Sequence, residues 1–238
     1  MDRKPDYSNW VSKKILIAMG CVSGLLIVLF VFSFIPQETT VWIILLIFAL
    51  GALAVMGLFC YMLYARSLLS YDHGGVPGEI LDNVLRHLDW DGQGQLLDIG
   101  CGSGAMTIKA AKKYPQAEIT DIDYWGVGWD YAQSQCERNA EIEGVTGQIT
   151  FKKGDAAHLD FSDSTFDAAI SNFVFHEVKT QPDKMTLIRE ALRVVKPGGV
   201  FSFGDMFYSK SNYLNLDAMI QALSRTRPMI SVFSIPVT

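Results

Sequence analysis

Apolar residues fall into two regimes along the chain. Residues 15–35 form a run of 21 without a charged side chain and residues 41–64 a run of 24, separated only by residues 36–40. At 1.5 Å per residue these runs make helices of about 31 and 36 Å, against a bilayer hydrocarbon core of about 30 Å. A transmembrane helical hairpin over 15–35 and 41–64 is therefore expected, the second helix having length to spare for tilt. Beyond residue 65 the pattern turns periodic. Ile80, Leu81, Val84, Leu85 and Leu88 repeat at helical spacing and predict a helix over 77–88 with one buried face. Short apolar runs bounded by turn residues predict strands at 95–99, 118–122, 148–152, 166–171 and 200–204. Helical spacing predicts helices at 105–114, 130–143 and 184–195, stopped by Pro115, Gly144 and Lys196-Pro197-Gly198-Gly199. Strands alternating with helices imply an α/β, doubly wound, mostly parallel sheet covered on both faces. Such a sheet binds its ligand beyond the carboxyl ends of the strands, where strand order reverses.

Charge orients this arrangement. Arg3, Lys4, Lys13 and Lys14 precede the first apolar run, Arg66 follows the second, and the loop between carries neither Lys nor Arg. Both ends of the hairpin are thus expected in the cytoplasm, giving a multi-pass protein of the cell membrane. A cleaved leader fits worse, because the first run exceeds the usual apolar core of about 7–15 residues and a second run follows at once. Gly20 and Gly24 form a small-xxx-small pattern suited to helix packing, Gly51 and Val55 a weaker one. The expected organisation is a cytoplasmic segment (1–14), two spans, a linker with the first helix (65–90), and a ligand-binding domain (91–238). The whole chain is 50% hydrophobic and 19% charged, yet residues 65–238 carry 16 basic and 22 acidic side chains. An acidic domain without a basic run is a poor partner for nucleic acid. Cys21, Cys60, Cys101 and Cys136 show neither a disulfide framework nor zinc spacing, so buried thiols and no metal are expected.

The segment Leu96-Leu97-Asp98-Ile99-Gly100-Cys101-Gly102-Ser103-Gly104 reads as a strand entering a glycine turn before a helix. Glycines let such a backbone turn sharply and approach a ligand closely. The turn lacks the Gly-x-Gly-x-x-Gly spacing of dinucleotide sites, and Asp98 at the strand's end opposes a pyrophosphate while suiting a cationic, adenosine-like ligand. Asp123 closes the second strand, where a carboxylate can accept two ribose hydroxyls. Asp121 competes, since alternation sends both to one side; Asp123 is preferred as nearer the strand's end. After the third strand, Asp155 in Gly154-Asp155-Ala156 can accept an adenine amine.

These motifs, in this order, resemble the class I S-adenosylmethionine-dependent methyltransferases. The likeness runs from about residue 74 to 205: LLDIGCGSG at 96–104, IDYWG at 122–126, ERNAEIEGV at 137–145, KGDAAHLDF at 153–161, FDAAISNFVFHEV at 166–178 and EALRVVKPGG at 190–199. The resemblance implies a Rossmann-like fold and S-adenosyl-L-methionine as cofactor. It places Gly100, Cys101, Gly102 and Gly104 around the methionine part, Asp123 and Tyr124 at the ribose side, Asp155 and Ala156 at the adenine, and Asn172 at the start of the active-site segment. In relatives the region of Tyr71, His73, Gly74 and Gly75 folds over the cofactor as a lid, and a plain linker is the alternative reading of it here. The paired spans match a membrane-anchored group of the family.

Methyl transfer needs a general base only when the acceptor carries its proton at neutral pH. His176, with Glu177 beside it just beyond the fourth strand, is the candidate, and Asp205 after the fifth strand is placed to line the acceptor pocket. The expected acceptor is small or lipophilic, met near the bilayer. Ser171-Asn172-Phe173-Val174 stands where amino-group methyltransferases carry Asn-Pro-Pro-Tyr, which disfavours bases or glutamine as acceptors. A tethered cofactor-binding protein without transfer activity is the alternative reading, and a nicotinamide-dependent reductase is disfavoured by Asp98 and the glycine spacing. Only 33 residues follow Asp205, with helix-like spacing at 214–223 and one apolar run at 229–237, so the C-terminal strands are expected to be incomplete.

Overall fold

The computed structural model describes residues 4–9, 11–32, 39–71, 75–126, 132–207, 209, 213 and 221. The chain divides into two compact units: Asn9–Pro77, and Met1–Ser8 together with Gly78–Thr238.

The first unit is built on α1 (Lys13–Phe32) and α2 (Thr39–Leu68). Within them, Lys13–Val31 and Leu46–Leu68 are long and apolar enough to cross a membrane. Their large side chains point outward, Ile17 and Leu53 being 67% and 69% exposed, an arrangement that water penalises. α1 begins at Lys13, two residues before its charge-free segment, and α2 runs past its own at both ends, because a helix tolerates Lys and Arg at its ends where an apolar span does not. Arg66 falls in the last turn of α2, where terminal carbonyls favour a cation. The hairpin's two ends are clasped: Asn9 Nδ2 donates to the Arg66 carbonyl at 2.8 Å, and the Arg66 guanidinium donates to the Val11 carbonyl. A Cβ placed on Gly20 would lie 3.5 Å from the Phe59 ring, so Gly20 sits at the helix contact. Gly24 and Gly51 have no such neighbour within 4 Å among the described residues, so the expected small-residue stripe meets α1–α2 packing at one glycine alone. Of the expected lid, Tyr71 and Gly75 belong to this unit; His73 and Gly74 lie outside the described residues.

In the second unit α3 (Val76–Arg86) leads into β1 (Gly94–Ile99), α4 (Ala105–Lys113), β2 (Ala117–Asp123), α5 (Gln133–Ile142), β3 (Ile149–Lys153), β4 (Phe166–Asn172), α6 (Lys184–Arg193) and β5 (Val195–Gly204). The sheet is fully parallel in the order β3-β2-β1-β4-β5. Chain direction therefore leaves β1 to one side through α4 and β2, and reaches β4 on the other, so the crevice between β1 and β4 is the switch point. Both central strands are covered on both faces, which explains their unbroken apolar runs. Leu97, Ile99, Ala169, Phe175, Leu187 and Ile188 join one side's core. The apolar face of α3 is buried as its spacing predicts, with Val84 at 0% exposure.

Two departures from the sequence expectation matter. The Lys196–Gly199 turn lies inside β5 rather than before it, because pairing jumps from Phe166↔Val195 to Ala168↔Val200 and leaves Asp167 opposite the extra residues. Lys196 Nζ bonds Asp167 Oδ1 there at 2.7 Å, fixing the irregularity. Residues 4–8, read only as a cytoplasmic extension, are stitched to α5. The Asp6 N–H donates to Asn139 Oδ1 and Asn139 Nδ2 donates back to the Asp6 carbonyl, both at 2.8 Å. Tyr7 Oη donates to Glu143 at 3.0 Å, and Gln135 Nε2 donates to Ser8 Oγ at 2.9 Å. The helix-like stretch 214–223, except Gln221, and the apolar run 229–237 lie outside the described residues.

Candidate active site

The turn that follows β1 is shaped by what its backbone must approach. Gly100 donates to the Ile122 carbonyl at 2.7 Å and has φ +78°. A Cβ there would fall 2.2 Å from a Val174 methyl carbon, so the bare backbone admits the segment after β4. Two residues on, the Gly102 N–H donates to Asp123 Oδ2 at 2.8 Å, while the Trp125 N–H donates to Asp123 Oδ1 at 2.7 Å. The Trp125 indole closes the ring by donating to the Gly102 carbonyl at 3.2 Å. Asp123 thus latches the turn to the end of β2 and keeps a further lone pair on each oxygen for a ligand. Burial raises its pKa, opposed by the backbone N–H groups of Trp125, Gly102 and Tyr124. Gly104 caps α4, and the Cys136 thiol lies 3.3 Å from the Gly102 carbonyl. Cys101 and Cys136 are both buried, and burial pushes the Cys101 thiol well up, which makes it unreactive.

Asp98, expected at the strand's end as a carboxylate suited to a cationic ligand, lies in the interior. It is fully buried, and Thr107 Oγ1 lies 2.6 Å from its Oδ2 and 2.6 Å from Oδ2 of Asp121, which is also fully buried. Burial lifts Asp98 to about 7, and burial followed by the charge of Asp98 lifts Asp121 well above the usual carboxylate range. The sequence ambiguity between Asp121 and Asp123 is thereby divided: Asp123 meets the turn and Asp121 meets Asp98.

Around the rim, Tyr124 is 62% exposed with Lys153 Nζ 5.5 Å from its ring centroid. Asp155 Oδ1 accepts from the Ala157 N–H at 2.8 Å and from Thr180 Oγ1 at 3.2 Å, so it builds the turn after β3 beside buried Ala156. Across the switch point, Asn172 ends β4 with its Oδ1 buried and without a partner among the described residues. A Cβ on Gly204 would come within 2.9 Å of that oxygen. Phe173 follows at φ +55°, its N–H donating to the Gly204 carbonyl at 2.8 Å, a strained conformation held by the neighbouring strand.

His176 and Asp205 are brought together here. His176 Nδ1 lies 2.5 Å from Asp205 Oδ1, and the His176 N–H donates to Asp205 Oδ2 at 3.1 Å. The Asp205 side chain is fully buried and that of His176 is 12% exposed. The other ring nitrogen faces Glu177 Oε1 at 3.4 Å, on a side chain 47% exposed. Burial alone would depress the imidazole; the hydrogen bond and charge of Asp205 outweigh it and raise the pKa above its ordinary value. An imidazole fixed through Nδ1 by a buried carboxylate, with Nε2 on the side of the half-exposed Glu177, has the geometry that can serve an oriented general base. Sequence reasoning passed over Thr107, Trp125, Asn139 and Phe173; only the polar Thr107 among the apolar positions of α4 carried any signal.

Among the described residues no group of three or more His, Cys, Asp or Glu side chains is placed to hold a metal ion. Residues 97–203 match the family model described as a methyltransferase domain. The chain is similar to the malonyl-[acyl-carrier protein] O-methyltransferase of Geobacter sulfurreducens, at 26% identity over 168 residues, covering 69% of this chain and 58% of that protein. It is similar to the sterol 24-C-methyltransferase erg6 of Aspergillus fumigatus, at 34% identity over 108 residues, covering 45% of this chain and 26% of that protein. A methyltransferase of Geobacter sulfurreducens solved with S-adenosyl-L-homocysteine shares 25% identity, with a TM-score of 0.41 and coverage of 52% of this chain and 47% of that one. The match thus spans less than two thirds of the length of these relatives. Residues 97–203 resemble methyltransferase domains of the S-adenosylmethionine-dependent class, and the cofactor is S-adenosylmethionine. The turn fits that cofactor: bare backbone at Gly100, spare lone pairs on Asp123, and, among the described residues, no Lys or Arg bonded to Asp98, Asp121 or Asp123.

Proposed function

We propose that the chain is a membrane-anchored methyltransferase acting on a small or lipophilic acceptor at the cytoplasmic face of the cell membrane. The observation that carries the catalytic part is the His176–Asp205 pair beside the glycine turn's switch point. When bound, S-adenosylmethionine supplies a methyl group activated on a sulfonium, so the protein's task is alignment, exclusion of water and removal of a proton. In this reading Asp123 accepts the ribose hydroxyls and the Tyr124 ring flanks them. Asp155 and Ala156 border the adenine, and Gly100, Cys101, Gly102 and Gly104 surround the methionine part. Asp205 accepts the Nδ1–H of His176 and thereby fixes the tautomer with Nε2 as base. Nε2 takes the proton that the acceptor hydroxyl gives up as its oxygen gains the methyl group. Glu177, beside Nε2 and half-exposed, relays that proton to water. The orphan Oδ1 of Asn172 accepts a hydrogen bond from cofactor or acceptor, which satisfies an otherwise costly buried group.

The names of the relatives include a sterol, an acyl-carrier-protein substrate and arsenite, so they span several acceptor chemistries. What favours a membrane-partitioning acceptor in this chain is the pair of apolar helices, whose outward side chains suit lipid. The positive charges at residues 3, 4, 13, 14 and 66 favour a cytoplasmic position for the domain. Incubating the full chain in detergent micelles with methyl-labelled cofactor and a membrane extract tests the proposal. Label in an organic-soluble product is expected. Label only in aqueous products would overturn the lipophilic acceptor, and cofactor binding without transfer to either fraction would leave a tethered binding protein.

A further inference from the structure

Asp98 and Asp121 stand directly opposite each other on adjacent parallel strands, so their side chains emerge on one face about 5 Å apart. Both are fully buried. Between them stands the Thr107 hydroxyl, 2.6 Å from an oxygen of each. One hydroxyl carries one proton and can donate to one carboxylate only; the second short contact is attractive only if that carboxyl itself carries a proton and donates to the threonine oxygen. The remaining oxygen of each aspartate, Oδ1, is buried without a hydrogen-bond partner among the described residues, while the Cys101 thiol bonds toward the Asp121 carboxylate and offsets part of its upward shift. The titratable groups facing the pair are Asp123 from the end of β2, whose charge opposes ionisation, and Cys101 from the turn and Cys136 from α5, buried thiols. No Lys, Arg or His among the described residues bonds either carboxylate.

We infer that Asp98 and Asp121 hold one proton between them and release it to solvent when the positively charged cofactor binds at the glycine turn, which begins two residues after Asp98. The inference rests on the reading that this turn binds S-adenosylmethionine. The pair then passes from a net charge of −1 to −2, matching the incoming cation, and the proton goes to the buffer. Asp121, which the binding reading leaves without a task, becomes the residue that sets the charge of the site. A neighbouring like charge is the means by which one of two carboxyls is kept protonated, and removing it abolishes the effect.

The test is titration calorimetry of the full chain in detergent micelles at neutral pH, with S-adenosylmethionine in two buffers of different ionisation heat. The apparent binding heat should differ between buffers by an amount approaching one released proton per bound cofactor. The release should persist in His176→Gln and fall to near zero in Asp121→Asn, which keeps the shape of the side chain and retains binding. Without cofactor, Asp121→Asn should also flatten the loss of melting temperature that the wild type shows as pH rises through neutrality. Saturable binding to the wild type with the same heat in both buffers would overturn the inference while leaving the cofactor site intact. No saturation in either buffer would instead overturn the cofactor reading, and the inference with it. The wild-type measurement decides the matter even if the variant does not fold.

Discussion

Gly100→Ala tests how the turn and the active-site segment depend on each other. At φ +78° an L-residue costs about 1–2 kcal/mol for the left-handed conformation. The added Cβ would fall 2.2 and 2.5 Å from the two methyl carbons of Val174 and 2.9 Å from its Cβ. Carbon atoms normally rest about 3.5–4.0 Å apart, so the segment carrying Val174 must retreat. Overpacking of this kind costs about 1–3 kcal/mol, which brings the total to roughly 2–5 kcal/mol. For a domain of this size that lowers the melting temperature by roughly 5–15 °C, read by circular dichroism in micelles. Val174 lies between Asn172 and His176, so its retreat also displaces the proposed base, and a misplacement of about 1 Å costs on the order of 100-fold in rate. Adding Val174→Ala should relieve the overlap and recover about 1–3 kcal/mol, leaving the backbone cost in place. A Gly100→Ala protein within about 0.5 kcal/mol of wild type, or a double variant with no recovery, would refute this account of the turn.

His176→Gln should lower kcat by about 100- to 10,000-fold while leaving the affinity for S-adenosylhomocysteine within about twofold, the split expected of a proton acceptor. Because only neutral imidazole accepts a proton and Asp205 raises the His176 pKa, wild-type kcat/KM should climb with pH to a plateau above the ordinary histidine range. That limb should be absent in His176→Gln; a glutamine variant retaining it would assign the limb elsewhere. Asn139→Ala strands the Ser103 carbonyl and the Asp6 N–H, while the Asp6 carbonyl keeps Gln135 Nε2 as donor, and should cost about 2–4 kcal/mol of stability by chemical denaturation. Deleting residues 1–8 keeps the Asn139–Ser103 bond and should cost less; equal losses would show that the N-terminal stitch, not the bond to the turn, carries the effect.

Period and punctuation were enough to read the sheet's elements, because central strands buried on both faces leave continuous apolar runs and α3 leaves a clean helical stripe. Cross-strand relations were not legible in the same way. Alternation places Asp121 and Asp123 on one face, but only the register shows that Asp121 faces Asp98 across β1 and β2. His176 and Asp205 were each singled out from their positions after strands, yet their pairing required β4 and β5 to be neighbours, a fact of topology. The stitch of residues 4–8 to α5 rests on backbone groups, amides and the hydroxyls of Tyr7 and Ser8, which leave no periodic trace. The extra residues of β5 read as a turn because Pro and Gly mark turns whether or not the strand resumes on the same partner.

The most direct measurement of the central claim is a crystal structure of the full chain with S-adenosylhomocysteine. Ribose hydroxyls are expected on Asp123, the homocysteine part along Gly100–Gly104, and the sulfur facing a cavity bordered by His176 Nε2 and Asn172. A nucleoside bound away from Asp123, or a sulfur turned from His176 with no acceptor space between them, would contradict that claim.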